Sequence, residues 1–430
     1  MTWGLCCKPC ASFCGLRAYV KRLIVSEQVP GRGLLPEAVK RQWQQRSTRG
    51  SLKILYHHRT RSRDGQSVHI DEMIAALRKE GVTVEVVEPQ RVDALKPARK
   101  KQVLPKLLYE LLEFSYSGLE LFKLAAAILR ERPDAIYERA NIYTLSGVWA
   151  ARLFSLPLLL EVNAPLAQER AKFDGLAMPS FARWTEAVAW RQATYVLPVT
   201  AVLAADIERA GVASSRIVVT SNGVDVEEFR IVPPQARPGL PAHFGSGPVL
   251  GFVGYIRAWH GLPQIVDLLA QDAGFANANL LVVGDGPGRI DLVRRAEELG
   301  VGDRVWVSGL VEREALAAYI SSFDIALQPE VTSYASPLKL FEYMALSRAI
   351  VAPDAPNIRE ILTHEADALL FEPNNPKSLA DAIRALVADD ALRVRLGSAA
   401  ADKIRKEDIS WARNARRAMS LIRSAQGQKR

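Results

Sequence analysis

From residue 52 onward, short apolar runs rich in β-branched side chains alternate with longer amphipathic stretches. This alternation is typical of parallel sheets built from strand–helix–strand units, so it predicts an α/β fold. In the first half of the chain, the predicted strands are residues 52–57, 82–87, 135–137, 157–162, 195–199 and 217–220. In the second half, they are residues 249–253, 280–283, 304–307, 324–327, 349–351 and 368–370.

The periodicity stops between residues 231 and 248, where prolines and glycines are too frequent for regular structure. We place a linker there, between two tandem doubly wound domains. The predicted parts are a poorly ordered extension at 1–50, a Rossmann-like domain at 51–232, the linker at 233–247, a second Rossmann-like domain at 248–408, and a C-terminal helix at 409–430. One arrangement considered for this C-terminal helix is that it crosses back to the first domain.

Positive charge is concentrated at the two ends of the chain. Of the net charge of +9, +7 belongs to residues 1–50, which also contain all the cysteines, Cys6, Cys7, Cys10 and Cys14. The last twenty residues add +6, whereas residues 231–410 carry −6. This charge distribution argues against nucleic-acid binding by the two domains. Residues 51–430 contain no cysteine, which excludes a fold held together by disulfides. A secretory signal and a zinc cluster are alternatives to a poorly ordered extension.

The sequence predicts no transmembrane segment, but it does predict adsorption to a membrane surface. No apolar run approaches the roughly 20 residues that span a bilayer. Residues 91–106 carry six basic side chains against one acidic side chain, and they are followed by Leu107, Leu108, Leu111 and Leu112. A basic amphipathic face is typical of binding to an anionic membrane. A solvated helix face is the alternative.

The loops after the strands of the second domain are the candidate ligand sites, because open α/β sheets bind ligands at the carboxyl ends of their strands. After the first of these strands, Gly254 permits close backbone approach, and Arg257 and His260 offer cationic or donor groups for an anion. A tight turn with a solvated arginine is the alternative. The second strand ends in a turn at 284–288, which fails the dinucleotide fingerprint because Arg289 occupies the third glycine position.

The segment 334–345 holds the densest set of candidate residues. Ser336 is expected to cap a helix with Pro337 at its first position. Lys339, as the third helical residue, and Glu342 then share a face near the positive end of the helix. Apolar neighbours predict a mostly buried helix, and a surface ion pair is the alternative.

Six motifs, in order and at plausible spacing, resemble those of the family 4 retaining glycosyltransferases. The resemblance implies the GT-B architecture, in which two tandem Rossmann-like doubly wound domains face each other across a cleft. The motifs are 64–69, 161–165, 221–225, 284–287, 307–310 and 336–345. The resemblance runs from about residue 52 to residue 425. It implies that the first domain binds the acceptor and that the second binds a nucleotide sugar.

The resemblance also implies roles for individual residues. Lys339 and Arg257 would bind the diphosphate and serve in catalysis together with Asn163, and Glu342 would hold the ribose. The other implied donor-binding residues are Gly65, His260, Gly284, Asp285, Gly309, Leu310, Ser336, Pro337 and Leu338. His69 and Arg139 are placed on the acceptor or sugar side.

This chain departs from the family pattern in the cleft. Tyr334 stands eight positions before Glu342, where the first glutamate of the family's pair is expected, so another group must contact the donor sugar. Glu330 is a candidate if its loop folds back. Asn163 stands where many members have a histidine, and an amide cannot shuttle a proton. The family's usual arginine and lysine of the phosphate loop align with Tyr255 and His260.

The function implied is transfer of a hexosyl group, with retention, from a nucleotide-diphosphate sugar to a saccharide or polyprenyl-linked acceptor in bacterial surface polysaccharide synthesis. No Asp-x-Asp motif occurs in the chain, so neither a metal nor another cofactor is expected. The expected location is the cytoplasm, with a peripheral position at the inner face of the plasma membrane considered. A nucleotide-sugar epimerase and a non-catalytic nucleotide-sugar-binding protein are the alternatives.

Overall fold

The computed structural model describes residues 51–60, 65–89, 105–233, 238–241, 244 and 247–427. The N-terminal extension and the basic segment up to residue 104 therefore lie outside the described residues, and the predictions made for them stay predictions. Among the residues that are described, the model contains no helix with the length and apolar character needed to cross a membrane.

The first half of the chain forms a parallel sheet of five strands in the order β2-β1-β3-β4-β5. The strands are β1 Lys53–His57, β2 Thr83–Val87, β3 Ala135–Arg139, β4 Leu158–Val162 and β5 Tyr195–Pro198. The helices are α1 Gly65–Lys79, α2 Lys106–Glu131, α3 Ser146–Phe154, α4 Leu166–Phe173, α5 Pro179–Gln192 and α6 Ala201–Arg209.

The second half forms a parallel sheet of six strands in the order β11-β10-β9-β6-β7-β8. The strands are β6 Val249–Val253, β7 Asn279–Val283, β8 Val305–Val307, β9 Ile325–Leu327, β10 Ala349–Pro353 and β11 Leu369–Phe371. The helices are α7 Leu262–Gln271, α8 Arg289–Glu298, α9 Arg313–Ile320, α10 Leu338–Ala345, α11 Pro356–Arg359, α12 Pro376–Ala388, α13 Asp390–Lys406 and α14 Trp411–Gly427.

Both sheets are buried on two faces, which explains why their strands are nearly continuous apolar runs. In β1, Ile54 and Tyr56 pack into one core cluster while Leu55 packs into another. In β6, Leu250 and Phe252 face the cluster opposite to that of Val249 and Val253. The α/β class and the two-sheet architecture predicted from the sequence are thus confirmed.

The strand predicted at 217–220 is wrong. This segment lies beside the last strand of the first sheet but forms only an isolated bridge, between Ile217 and Val196. Val218 N donates to the carbonyl of Val196 at 2.9 Å, and Thr220 N donates to that of Pro198 at 2.8 Å. β-Branched residues there follow the sheet edge, but the chain turns away toward the second domain before a ladder develops.

The C-terminal helix α14 packs on the first domain. Trp411, Ala415 and Ile422 are buried in the same cluster as Met73 and Leu77 of α1. At the helix surface, Arg416 forms an ion pair with Glu80 at 2.8 Å. The chain therefore crosses between the two sheets twice.

Candidate active site

A cleft of about 370 Å³ lies between the two sheets and is lined by residues that follow strand ends. From the first domain it receives Arg139, the last residue of β3, Asn163, the residue after β4, and Glu169 on α4. From the second domain it receives Lys339 and Tyr334, together with His260. The cleft thus brings together five of the predicted site residues, which are far apart in the sequence: Arg139, Asn163, His260, Pro337 and Lys339.

Two glycine turns follow the first two strands of the second domain's sheet. Gly254 and Gly284 have φ values of +142° and +143°, which side chains rarely adopt. A Cβ on Gly284 would lie 2.1 Å from the carbonyl oxygen of Gly254. The turn after β6 and the turn after β7 therefore touch directly, and Gly284 is required by this packing whatever it contributes to a ligand.

The Asp285 side chain organises the second turn. One of its carboxylate oxygens accepts a hydrogen bond from Gly286 N at 2.8 Å, and its carbonyl accepts one from Ile256 N at 2.8 Å. Nearby, Gly309 has a φ of +77° and pairs with Gly284. The Leu310 side chain is 81% exposed beside it. The predicted contact of this loop with a base stays a prediction.

Lys339 lies directly against the first glycine turn. Its Nζ is 3.8 Å from the centre of the Phe252 ring and 3.2 Å from the position that a Cβ on Gly254 would occupy. Burial lowers the pKa of Lys339 to about 7, although Glu342 acts in the opposite direction. An anion that entered here would stabilise the charged form of the amine.

Arg257 and His260 have different electrostatic characters. The Arg257 guanidinium lies 4.9 Å from the Tyr255 ring centre and 4.8 Å from that of Trp259. The His260 Nδ1 accepts a weak hydrogen bond from Arg257 N at 3.4 Å. Burial, and then the positive charges of Lys339 and Arg257, lower the pKa of His260 to about 3. His260 is therefore neutral at pH 7 and acts as a hydrogen-bonding group, which leaves Arg257 as the cation of this loop.

Helix α10 begins one residue later than expected. Pro337 has extended backbone angles and is the N-cap, so Lys339 is the second helical residue instead of the third. Ser336 does not cap the helix, because its Oγ accepts from Asn222 N at 3.4 Å and its carbonyl accepts from the Asn222 side chain at 2.5 Å. Leu338 packs against the apolar cluster of the first domain. The start of α10 is thus held by the other domain.

A buried carboxylate supports the first domain's side of the cleft. Glu161 accepts hydrogen bonds from Arg139 at 2.7 Å, from Asn163 at 2.6 Å and from the Tyr137 hydroxyl at 3.0 Å, and it pairs with His69 Nε2 at 2.9 Å. Burial acts to raise the pKa of Glu161, but His69 and Arg139 hold it well below its ordinary value. This carboxylate fixes the orientation of both Arg139 and Asn163.

His69 and Gly65 lie on α1, below and at the edge of the cleft. His69 is 5% exposed, and its Nδ1 is 2.7 Å from Asn222 Oδ1. It is therefore a buried connection between Glu161 and the Asn222 turn, and it does not line the cleft as expected for a sugar-side residue. Gly65 is the first residue of α1, next to Gln66 on the cleft wall.

Comparison with known proteins identifies the family. The family model described as Glycosyltransferase Family 4 matches residues 63–228, and the model described as Glycosyl transferases group 1 matches residues 241–403. Together they cover about three quarters of the chain. This chain belongs to the family 4, group 1 glycosyltransferases.

Individual relatives of this glycosyltransferase are distant. D-inositol 3-phosphate glycosyltransferase of Xylanimonas cellulosilytica is 28% identical over 370 residues, which are 78% of this chain and 86% of the relative. The alpha-D-kanosaminyltransferase of Streptomyces kanamyceticus is 24% identical over 58% of this chain, and that match spans just under two thirds of the relative, 66%. The structure of Anabaena HepE in complex with UDP superposes with a TM-score of 0.66 and 17% identity over 87% of this chain and 100% of HepE. This likeness confirms the GT-B fold.

In this glycosyltransferase, Glu342 forms its ion pair with Arg313 and not with Lys339, which was the alternative considered, and its predicted contact with the ribose stays a prediction. Glu342 is 5% exposed and pairs with Arg313 at 2.6 Å. The same guanidinium reaches Glu72 of α1 at 2.9 Å and Glu228, before the linker, at 2.8 Å. Burial raises the pKa of Glu342, and Arg313 opposes that shift. Sequence reasoning missed Arg313, because its partners are 29 to 241 positions away in the chain.

The departures from the family pattern meet in the cleft. Glu330 lines the cleft, and its Oε1 accepts a hydrogen bond from Gln264 at 2.8 Å. Tyr334 is hydrogen-bonded to Glu169 on the opposite wall, and burial followed by this carboxylate raises the pKa of Tyr334 to about 12. No family motif in the sequence pointed to Glu169.

Proposed function

We propose that this glycosyltransferase moves a hexosyl group, with retention of configuration, from a nucleotide-diphosphate sugar to a saccharide or polyprenyl-linked acceptor. The observation that carries the proposal is the enclosed Lys339 amine against the Gly254 turn, with Arg257 in the loop that follows. The UDP in the HepE complex supports a nucleotide donor for this fold.

The residues at the Gly254 turn are suited to stabilise a departing diphosphate. Glycosyl transfer passes through an oxocarbenium-like state, in which negative charge builds on the leaving phosphate. Fixed cations that are already in place stabilise such charge without reorganisation. In our proposal, Lys339 and Arg257 supply these cations and His260 a neutral hydrogen bond, so that the reaction needs no metal.

Retention is proposed to occur by attack on the same face of the sugar, with the leaving phosphate accepting the acceptor's proton. Asn163 has no acidic proton to exchange, and its amide is held by Glu161 at 2.6 Å. Glu161 itself is buried and saturated with hydrogen-bond donors, which makes it a poor nucleophile. These features favour a mechanism in which the first domain positions the sugar instead of attacking it.

The acceptor is proposed to be lipid-linked, as assembly of a bacterial surface polysaccharide requires. Helix α2 exposes several large apolar side chains near its start, namely Leu107, Leu108, Tyr109, Leu111 and Leu112. In the sequence, this helix follows the basic residues 91–101. Basic and apolar groups together favour adsorption to an anionic bilayer, at about 1 kcal/mol per basic residue near the surface. Binding to anionic vesicles should weaken as the salt concentration rises. An absence of binding at low salt would contradict the proposed contact with the membrane.

A thermal-shift screen over nucleoside diphosphates and their sugars tests the donor. A ligand at 100 times its dissociation constant stabilises the folded state by about 2.7 kcal/mol. The matching nucleotide sugar is then incubated with oligosaccharide acceptors, and NMR reports the anomeric configuration of the product. Conversion of the nucleotide sugar alone into its epimer favours the epimerase alternative, and binding without turnover favours a non-catalytic protein. An inverted product contradicts the proposed stereochemistry.

A further inference from the structure

Of the described residues that line the cleft, two carry carboxylates, and they lie on opposite walls. Glu330 is on the second domain, where Gln264 donates to its Oε1 at 2.8 Å and its Cγ lies 3.0 Å from the Cβ position of Gly261. Glu169 is on α4 of the first domain, with its side chain hydrogen-bonded to the Tyr334 hydroxyl. Glu330 is thus engaged within its own wall, whereas Glu169 reaches across the cleft.

Helix α4 is fixed from both ends, so the position of Glu169 is well defined. At its start, the backbone N–H groups of Leu166 and Ala167 donate to the Glu186 carboxylate. At its end, the Phe173 ring stacks on Trp259 of the second domain, with 5.2 Å between ring centres. Opposite Glu169, the carbonyl of Tyr334 accepts a hydrogen bond from Thr200 at 3.1 Å.

Glu169 lines the same cleft as Lys339 and His260, which places it beside the proposed diphosphate site. Burial raises its pKa, while the Tyr334 hydrogen bond and the positive charge of Arg257 lower it and Asp174 raises it further. Because Lys339 is a proposed phosphate cation on one wall and Glu169 lies on the other wall of the same cleft, Glu169 is in a position to meet the sugar end of the donor. A carboxylate there can accept hydrogen bonds from two adjacent hydroxyls.

We propose that Glu169 holds the hydroxyls of the donor sugar and that Tyr334 is the positioning residue that orients it. This inference rests on the donor function proposed above. It supplies, from the first domain, the contact that the second domain lacks because Tyr334 stands where the family has a glutamate. The sugar then bridges both domains, whereas a nucleoside diphosphate without its sugar is held by the second domain.

The test compares affinities for a nucleotide with and without its sugar. Calorimetry is run with UDP and UDP-glucose and with GDP and GDP-mannose, on the wild type, Glu169→Ala, Glu169→Gln and Tyr334→Phe. A hydrogen bond to a charged group contributes about 1.5–3 kcal/mol, so Glu169→Ala should weaken binding of the sugar nucleotide about 10- to 150-fold. Binding of the diphosphate alone should stay unchanged, which also shows that the variant is folded.

A rescue separates orientation from general damage. Tyr334→Glu restores a carboxylate on the second domain, so in the Glu169→Gln background it should recover sugar-dependent affinity. Equal losses for the diphosphate and the sugar nucleotide, or a sugar-specific loss in Glu330→Gln but not in Glu169→Ala, would overturn the assignment. A wild type that binds no nucleotide sugar overturns the donor proposal itself. A wild type that binds one, with Glu169→Ala binding it equally well, overturns only the role of Glu169.

Discussion

Lys339 has two properties that are unusual for a lysine, namely the close packing of its amine and its low pKa. Its amine is enclosed by the Phe252 ring and the Gly254 turn, and its pKa is lowered to about 7 by that burial. A lysine in such a place costs the folded protein desolvation free energy. In our proposal, that cost is offset when the diphosphate binds, because the anion then interacts with a cation that water screens less than at the surface.

Replacement of this lysine should abolish most of the activity without harming the fold. We expect Lys339→Ala to lower the rate of transfer by about 10²–10³, the usual effect of removing one fixed group that stabilises transition-state charge. Steady-state kinetics and urea denaturation measure the two quantities. Lys377→Ala, at an exposed position on α12, is the matched control and should change neither. Near-normal turnover of Lys339→Ala would contradict the site.

Donor affinity should fall as the pH rises through about 7. Below the pKa of the empty site, Lys339 is charged and binds the diphosphate; above it, binding requires uptake of a proton, so the dissociation constant should rise up to tenfold per pH unit. Calorimetry with a nucleotide sugar in buffers of different ionisation enthalpy measures that uptake. The Lys339→Met variant should show a much flatter profile over this range, because burial and Arg257, two causes of the low pKa of His260, remain in the variant. A steep profile in the variant would assign the titration to another group.

At the scale of elements, the close contact between the Gly254 and Gly284 turns leads to a prediction about stability. Gly284→Ala places a Cβ 2.1 Å from a backbone oxygen at a φ of +143°, so both turns must move. We expect a loss of more than about 2 kcal/mol in the free energy of unfolding. Gly118→Ala, within α2 and with no atom within 4 Å of its new Cβ, is the control. It should stabilise by about 0.5–1 kcal/mol. Urea denaturation that ranks the two variants in the reverse order would contradict this packing.

How much the sequence could predict also differs by element. The strand β6 was predicted to the residue because its apolar run ends at Gly254. Helix α10 begins one residue later than predicted, because Ser336 is held by Asn222, which is 114 positions away in the sequence. The pairs Glu342 with Arg313 and Glu169 with Tyr334 were also missed. Local patterns report propensity and burial, whereas these contacts depend on how the two domains meet.

At the scale of the whole molecule, Arg313 joins the two domains. Its guanidinium faces the carboxylates of Glu72, Glu228 and Glu342, which come from three separate parts of the chain. Burial raises the pKa of Glu72 to about 7, with Arg313 opposing that shift. The cluster therefore contains more carboxylates than cations and depends on this arginine.

Loss of that arginine should destabilise the protein in a pH-dependent way. Arg313→Ala leaves like charges close together, so we expect the free energy of unfolding to fall by about 3 kcal/mol at pH 8. The loss should be smaller at pH 5, because carboxylates with raised pKa values become neutral as the pH falls. Arg384→Ala, which breaks a surface pair with Asp272, should change stability by less than about 1 kcal/mol. Equal losses for Arg313→Ala at both pH values would contradict the electrostatic reading.

The two crossings of the chain between the domains lie side by side. Val224, just before the linker, pairs with Ser410, just before α14, and a Cβ on Gly223 would lie 2.6 Å from the carbonyl carbon of Ser410. The two connections between the domains are thus packed against each other in one short segment. The domains also touch elsewhere, as between Asn222 and Ser336, so the contact at Gly223 is one of several between them. A side chain at position 223 would displace both connections at once, so this glycine couples the segment before the linker to the start of α14.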